Sequence, residues 1–173
     1  NEKPRVFRLV EDQALINRLG FNNHGSDTIL NRIKSNKKLG MLGVNVGPNK
    51  DSNDRLNDYL IGLEKFFEVA DYITINISSP NTEGLRGFHD QEKLKDLLLT
   101  LNTIKKDNKT NIPLLLKVSP DIQDNHIFEI ADVATRSDIS AIILTNTTDG
   151  NRDNLVSKIK KEEGGLSGEP LQQ

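Results

Sequence analysis

The sequence predicts an α/β fold in which helices cover a parallel sheet. Short apolar runs alternate with amphipathic helical patterns, and the starts of successive runs lie roughly thirty to forty residues apart, the size of one βα unit. Four such units are present, whereas a closed eight-stranded barrel usually takes about 250 residues. The 173 residues therefore predict either a small open sheet or one incomplete domain of a larger barrel, and the irregular start and abrupt end favour the second.

The first forty residues are irregular, and short helices are predicted near Glu11–Arg18 and Ser26–Lys34. The first strand is predicted at Met41–Val46. A helix follows from about Asn53 to Glu68, in which apolar residues recur at the three- and four-residue spacing of a buried helical face. These apolar residues are Leu56, Leu60, Leu63 and Phe67. Ser52 or Asn53 is the expected cap of this helix.

Three further strands complete the pattern. The second is predicted at Tyr72–Ile77, where β-branched residues are frequent, and a helix follows its loop from about Gln91 to Lys105. The third is Pro113–Val118, followed by a helix from about Gln123 to Thr135 with Asp124 as a possible cap. The fourth is Ala141–Thr145.

Composition excludes several classes of function. The net charge of −2 and the interleaving of bases with acids give no basic surface for nucleic acid. Without cysteine the chain has no disulfide, thiolate metal site or cysteine nucleophile. Its three histidines (His24, His89 and His126) show no metal-ligand spacing and are expected at the surface, so no metal site is predicted. No apolar run approaches the about 20 residues that span a bilayer.

Polar residues end each predicted strand. They are Asn45 and Gly47; Asn76, Ser78, Ser79 and Asn81; Lys117 and Ser119; and Thr145, Asn146 and Thr147. A single asparagine of this kind is more often a turn residue that satisfies its own hydrogen bonds. Ligands of parallel α/β folds bind at the carboxyl ends of the strands, so four polar ends in succession predict one shared site.

Side-chain alternation supports this site. Ile73, Ile75 and Ile77 share one face of the second strand, which suits covering helices, while Thr74 and Asn76 share the other. Lys117 ends the apolar run Leu114–Val118 and must reach water or a negative partner, because burying an unpaired ammonium is costly. It is either an edge lysine extended to solvent or a cation beside an anionic ligand or cofactor.

The motifs together resemble one family. NISSPNTEGLR (Asn76–Arg86) is similar to the catalytic loop of dihydroorotate dehydrogenases, and Pro4–Gly25 resembles the segment that precedes it in the quinone-linked class. GVNVGPNK, LLLKVSPD, LTNTT and EEGGLSGEPL follow in the order and spacing of the family. The resemblance implies a (β/α)8 TIM barrel, of which residues 1–173 contain about four central βα units.

The resemblance also implies chemistry. The family oxidises dihydroorotate to orotate, in pyrimidine biosynthesis, by removing a proton from C5 and passing a hydride from C6 to FMN. Ser79 corresponds to the active-site base of the quinone-linked class, although it could also be only the serine that opens a turn before Pro80. A serine hydroxyl is a poor base at neutral pH and needs a proton path through water or a neighbouring hydroxyl.

Binding roles follow from the same resemblance. It implies that the substrate is bound by Asn17, Arg18, Leu19, Gly20, Phe21, Asn76, Asn81, Asn146 and Thr147. It implies that FMN is contacted by Asn45, Asn76, Lys117, Thr145 and, on its phosphate side, Gly168. The glycines of Gly164–Gly168 could instead form only a flexible turn.

The whole protein is expected to pass electrons to a quinone at a bacterial or mitochondrial inner membrane. Peripheral membrane contact would come only through segments absent from this sequence. Two rival hypotheses stay open: another FMN-dependent barrel oxidoreductase acting on pyrimidines, and a half-barrel that binds ligands without catalysis. Ser79 in place of cysteine, together with the segment Pro4–Gly25, argues against the first. The missing strands leave the second open for this chain.

Overall fold

A computed structural model describes residues 2–49, 51–78, 90–150 and 152–172, which fold into two sheets and four helices. The strands are β1 (Val6–Leu9), β2 (Ala14–Asn17), β3 (Gly43–Val46), β4 (Tyr72–Asn76), β5 (Leu114–Lys117), β6 (Ala141–Ile143) and β7 (Gly165–Gly168). The helices are α1 (Ser26–Ser35), α2 (Arg55–Phe66), α3 (Gln91–Asp107) and α4 (Asp124–Arg136). A short 3-10 helix at Glu169–Leu171 follows β7.

Strands β3, β4, β5 and β6 form a parallel sheet in chain order. Parallel neighbours need a crossover connection, and α3 and α4 supply two of these crossovers. All four predicted strands and the four helices from Ser26 onward are confirmed, with bounds that differ by a few residues. The parallel α/β class predicted from the sequence is therefore correct.

Strand β4 is buried on both faces. Ile73, Ile75 and Ile77 are fully buried and belong to the main hydrophobic core, whose helical side contains Leu63, Leu94, Leu97, Leu98 and Leu101. On the opposite face, Thr74 and Asn76 are also buried. The alternation predicted from the sequence is confirmed, because the isoleucines face the helices and the polar side chains face away from them.

The helix caps differ from prediction. Asp54 caps α2 by accepting a hydrogen bond from the Asn57 amide at 3.0 Å, whereas Ser52 accepts one from the Asp54 amide. Asp90 caps α3 in the same way. Helix α4 begins at Asp124 and has no side-chain cap. The predictions for Ser52, Asn53 and Asp124 were wrong because several neighbouring residues can cap a helix and only the path of the chain selects among them.

The predicted helix near Glu11–Arg18 is wrong. Residues 6–17 form an antiparallel hairpin, which turns at Gln13 with φ of 47°, and β2 pairs with β7 on its other side. Ala14 and Ile16 are buried and alternate with more exposed neighbours, which is the period of a strand. Pairing with a segment about 150 positions away therefore overrode a weak local preference for helix.

The flexible turn considered for Gly164–Gly168 is also wrong, because Gly165–Gly168 is strand β7. Glycine is required at its end. Gly168 has φ of 109°, and a Cβ there would come within 2.4 Å of the Gln13 carbonyl oxygen. The close approach of β2 to β7 thus accounts for this glycine.

The two sheets meet at Thr148. Its amide donates to the Leu166 carbonyl at 3.0 Å, and the Leu166 amide donates back to the Thr148 carbonyl at 2.6 Å. Leu166 in turn pairs with Ile16 of β2. The chain that leaves β6 therefore lies directly against the hairpin sheet.

The side chain of Ile75 is fully buried at the centre of the parallel sheet, whereas Phe128 on α4 is 79% exposed. In the full-length protein, Ile75→Ala should lower the free energy of unfolding by about 2–5 kcal/mol, because it leaves a cavity in a packed core. Phe128→Ala should change it by no more than about 0.5 kcal/mol. Urea unfolding of both variants measures the difference, and equal losses would contradict this assignment of the core.

Asp71 fastens the segment before β3 to the start of β4. Its carboxylate accepts hydrogen bonds from the Lys38 ammonium at 2.5 Å and from the Leu42 amide at 2.6 Å. The hydrogen bond from Lys38, and then that from Leu42, hold the pKa of the Asp71 carboxyl below its ordinary value.

Since the pKa of Asp71 is lower in the folded protein, its carboxylate contributes stability above the unfolded pKa of about 3.9. That contribution is lost as the pH falls through the still lower folded pKa. Asp71→Asn should therefore make the free energy of unfolding less dependent on pH below about pH 4. Urea unfolding at a series of acidic pH values tests this, and an unchanged pH dependence would refute it.

Candidate functional site

The polar strand ends predicted from the sequence lie together at the carboxyl ends of the parallel strands. Asn76 stands opposite Lys117 in the register of β4 with β5, and Asn45 stands opposite Thr74 in the register of β3 with β4. Register partners in a parallel pair project to the same face. Asn45, Asn76 and Lys117 thus share the face that does not contact the core helices.

Two of the strand ends, those of β4 and β6, are joined by side-chain hydrogen bonds. The Ser78 hydroxyl donates to Asn76 Oδ1 at 2.9 Å, and Asn146 Nδ2 donates to Ser78 Oγ at 3.0 Å. The amide of Ser78 also donates to Asn76 Oδ1, at 3.1 Å. Ser78 is fully buried, so these bonds are shielded from competing water. The loop after β4 and the loop after β6 are therefore held in one arrangement.

Tyr59 on α2 supports this network from the core. Its hydroxyl donates to the Asn76 carbonyl at 2.6 Å, and its side chain is fully buried. Burial raises the pKa of Tyr59 above its ordinary value, while nearby Arg55 lowers it by a smaller amount. The phenol therefore stays neutral and acts as a hydrogen-bond donor.

The network leaves hydrogen-bond donors available. Asn76 uses its Oδ1 within the network, whereas its Nδ2 has no partner among the described residues. Asn146 uses its Oδ1, which accepts from the Thr147 amide at 2.8 Å, and one N–H of its Nδ2, which donates to Ser78, so its second N–H is the donor left. Lys117 is partly buried and makes no ion pair within the described part of the chain. The site therefore presents N–H groups and a cation to a ligand that is rich in acceptor oxygens.

Strand β5 lies between β4 and β6, so Lys117 is not on an edge strand of this sheet. The reading of Lys117 as an edge lysine extended to solvent therefore does not describe its position. Its ammonium has no ion-pair partner among the described residues, and the alternative reading, that of a cation facing an anionic ligand, stays a prediction.

The loop after β2 reaches the same end of the parallel sheet. Asn17 Oδ1 accepts from the Leu19 amide at 3.4 Å, which helps turn the chain, and Gly20 follows with φ of 68°. The Phe21 ring lies beside Gly47 after β3, where an added Cβ would be 3.1 Å from its Cζ. The predicted segment Asn17–Phe21 thus comes together with the parallel strand ends through Phe21.

Arg18 is directed elsewhere. Its guanidinium pairs with Glu162 at 3.1 Å, donates to the Glu163 carbonyl and lies 4.6 Å from the centroid of the Phe7 ring. These contacts fasten the loop of residues 152–164 to the hairpin. They give Arg18 a structural role, and its expected contact with substrate stays a prediction.

The other predicted residues, Thr145 and Gly168, lie in different parts of the fold. Thr145 follows a cis peptide bond after Leu144, and its hydroxyl donates to the Asn146 carbonyl at 3.0 Å. Gly168 belongs to the hairpin sheet, where it stands opposite Ala14. Ser79 and Asn81 lie outside the described residues, so the structure does not test their positions.

Two residues of this region were given no individual role from the sequence, although Ser78 was counted among the polar strand ends. Ser78 is the centre of the hydrogen-bond network, and Asp121 accepts a hydrogen bond from the Thr148 hydroxyl. Alternation from Thr74 and Asn76 places Ser78 on the polar face, so the period of the strand could have identified it. No local pattern links Asp121 to Thr148, because the two are 27 positions apart.

The cavities of the described region differ in chemistry. An open groove of about 730 Å³ runs between charged side chains that include Arg18, Lys158 and Glu162. A smaller pocket of about 260 Å³ adjoins Phe21, Asn45 and Gly47 at the carboxyl end of β3. We assign the site to the carboxyl ends of the parallel strands, because the available donors and the buried hydrogen-bond network lie there. The smaller pocket adjoins this end of the sheet through Asn45 and Gly47 and is not lined by Asn76, Lys117 or Asn146. No grouping of three histidine or acidic side chains suited to a metal occurs in the described segments.

Comparison with known proteins supports the same conclusion. The sequence profile described as dihydroorotate dehydrogenase matches residues 1–173. "Dihydroorotate dehydrogenase (quinone)" of Bartonella tribocorum is 44% identical over 99% of this chain and 49% of its own length. The protein of the same name from Idiomarina loihiensis is 44% identical over 99% of this chain and 53% of its own.

A solved structure agrees. The crystal structure of DHODH from Eimeria tenella in complex with ferulenol superposes on this chain with a TM-score of 0.91 at 35% sequence identity. The superposed region is 98% of this chain and 52% of the Eimeria chain. The chain thus spans about half the length of the relatives that it matches, and its four parallel strands are part of a (β/α)8 barrel. From the profile match, the identities and the superposition, this chain belongs to the dihydroorotate dehydrogenase family.

Proposed function

We propose that the protein containing this chain oxidises dihydroorotate to orotate, with FMN as hydride acceptor and a quinone as final electron acceptor, in pyrimidine biosynthesis. Residues 1–173 would be one incomplete domain of that enzyme, inactive alone. The observation that carries the proposal is the set of available donors, Asn76 Nδ2 and the Lys117 ammonium, on one face of neighbouring parallel strands. Orotate is an anion with a carboxylate and ring carbonyls, which suits such donors.

The substrate would be held from two sides. Asn76 and Asn146, with their oxygens already bonded, can offer N–H groups to the carboxylate and carbonyl oxygens of the ring. Phe21 would cover the ring from the hairpin side. Asn17, Arg18, Leu19, Gly20, Asn81 and Thr147 complete the proposed substrate set. Because the buried Ser78 fixes the two asparagines relative to each other, little ordering would be needed on binding.

FMN would be held by Asn45, Asn76, Lys117 and Thr145, with Gly168 on its phosphate side. The donor set suits it: the half-buried ammonium of Lys117 has no partner among the described residues, and a flavin offers carbonyl and ring-nitrogen acceptors. When bound, FMN supplies the hydride acceptor that no amino-acid side chain provides. Gly168 supports FMN binding less directly, because the close approach of β7 to Gln13 already requires a glycine at this position.

The proposed proton acceptor is Ser79. It follows Ser78 directly in the chain, and Ser78 is held by Asn76 and Asn146. A base next to that anchor would act on a substrate bound by the same two asparagines. A serine hydroxyl would need water or another hydroxyl to carry the proton onward.

The proposed electron acceptor is a quinone, as the names of the bacterial relatives state for those proteins. Quinones dissolve in lipid, so we propose that the whole protein associates with a membrane through parts outside these 173 residues. Among the described residues, none of the helices has the length and apolar character needed to cross a bilayer.

In the full-length protein, Ser79→Ala should slow reduction of bound flavin by dihydroorotate by roughly 10²–10⁴-fold, because a positioned proton acceptor is lost. FMN binding and quinone-side reoxidation should stay nearly intact. Ser79→Cys should retain part of the activity with a pH profile moved downward, since a thiol ionises nearer neutrality. Stopped-flow absorbance measures the rate, and Ser35→Ala at the exposed end of α1 is the matched control. Reduction of the Ser79→Ala protein at the wild-type rate would mean that the base is another group.

The isolated 173-residue chain should retain much less FMN than the full-length protein, because further strands of the barrel would hold much of the cofactor. Gel filtration of each protein after incubation with FMN, with flavin absorbance followed across the protein peak, measures this. Equal flavin content in the two peaks would show that these residues suffice to hold the cofactor.

A further inference from the structure

Asp121, four residues after the end of β5, accepts hydrogen bonds from the loop that follows β6. The Thr148 hydroxyl donates to Asp121 Oδ1, and the Asp149 amide donates to Oδ2 at 3.3 Å. Ser119 supports Asp121 from the same loop, because its hydroxyl donates to Oδ2 at 3.4 Å and its Oγ accepts from the Asp121 amide at 3.1 Å. Thr148 is 3% and Ser119 is 2% exposed. Hydrogen bonds to a carboxylate in such buried surroundings are among the stronger ones in proteins.

The same threonine is also fixed through its backbone. Thr148 exchanges two hydrogen bonds with Leu166, which pairs with Ile16 of β2. The side chain of Thr148 therefore bonds to the loop after β5, and its backbone bonds to strand β7 of the hairpin sheet. Both partners are needed to define where the loop lies.

Asn146 and Thr147 lie between two anchors. At the first end, the amide of Asn146 itself donates to the Val118 carbonyl at 3.0 Å. After them, Thr148 is held by Asp121 and Leu166. A two-residue segment tied at both ends has little freedom to shift, so its side chains meet a ligand in one geometry.

From this geometry we propose that Asp121 and Thr148 are positioning residues, which hold Asn146 and Thr147 in the arrangement that binds substrate and product. The proposal rests on the function proposed above. Thr148 is too buried to offer its hydroxyl to a ligand while Asp121 accepts it, so its effect passes through its neighbours in the chain. The backbone of Thr148, through Leu166, also ties this loop to strand β2, which ends at Asn17.

The test compares Thr148→Val with Thr148→Ser in the full-length holoenzyme. Valine keeps the shape of threonine but removes the hydroxyl donor, whereas serine keeps the donor. Orotate affinity, measured by isothermal titration calorimetry, should fall about tenfold in the valine variant, as expected for losing a hydrogen bond to a charged group. The KM for dihydroorotate should rise by a similar factor while kcat changes less, and Thr148→Ser should restore both.

Leu101→Val, in the core of α3, controls for general loss of stability and should bind orotate as the wild type does. If the valine variant does not fold, Asp121→Asn, which keeps the side-chain size but has one acceptor oxygen, replaces it and should weaken orotate binding. Wild-type affinity in the folded variant, or an equal loss in Leu101→Val, would overturn the proposal. A wild-type enzyme that fails to oxidise dihydroorotate would instead overturn the proposed function.

Discussion

Burial of β4 on both faces constrains the rest of this structure. Its isoleucines must meet helices, so α2 and α3 are required to cover one side of the sheet. Its other face carries Thr74 and Asn76, whose polar groups must find partners because they too are shielded from water. Ser78 and the Tyr59 hydroxyl provide those partners for Asn76. A single strand thus fixes both the hydrophobic core and the orientation of the amide group at its end.

The hydrogen bonds at the sheet edge determine what kind of ligand can bind there. Asparagine can donate and accept equally well, and a free amide side chain would not discriminate between ligands. Here Ser78 and the Thr147 amide occupy the oxygens of Asn76 and Asn146, and Asn146 also donates one N–H to Ser78. Among the described residues, the N–H groups of Asn76 and the second N–H of Asn146 are left. With the Lys117 ammonium beside them, the site favours oxygen-rich anions. Selectivity at this site therefore depends in part on Ser78, which orients both amide groups and is not itself in the proposed substrate set.

The parallel sheet was predictable because each of its elements carries a local signal. The leucines of α3 repeat at helical spacing and Tyr72–Asn76 alternates, so periodicity alone located them. The hairpin was not predictable, since Ala14–Asn17 is only four residues long and its partner Gly165–Gly168 is distant in sequence. The site shows the same division. Alternation placed Thr74 and Asn76 on one face of their strand, whereas nothing local indicated that Arg18 would turn to Glu162 or that Asp121 would meet Thr148.

The pairing of β2 with β7 has a consequence for the order in which the molecule assembles. The parallel sheet needs only contacts between successive units, and each can form once its own segment has left the ribosome. The three-stranded sheet must wait until residue 168 is available to meet residue 14, and closing so long a loop carries an entropic cost. Until then the apolar face of the hairpin, with Leu9 and Ile16, stays exposed to solvent. During synthesis this apolar face is therefore open to aggregation until β7 covers it.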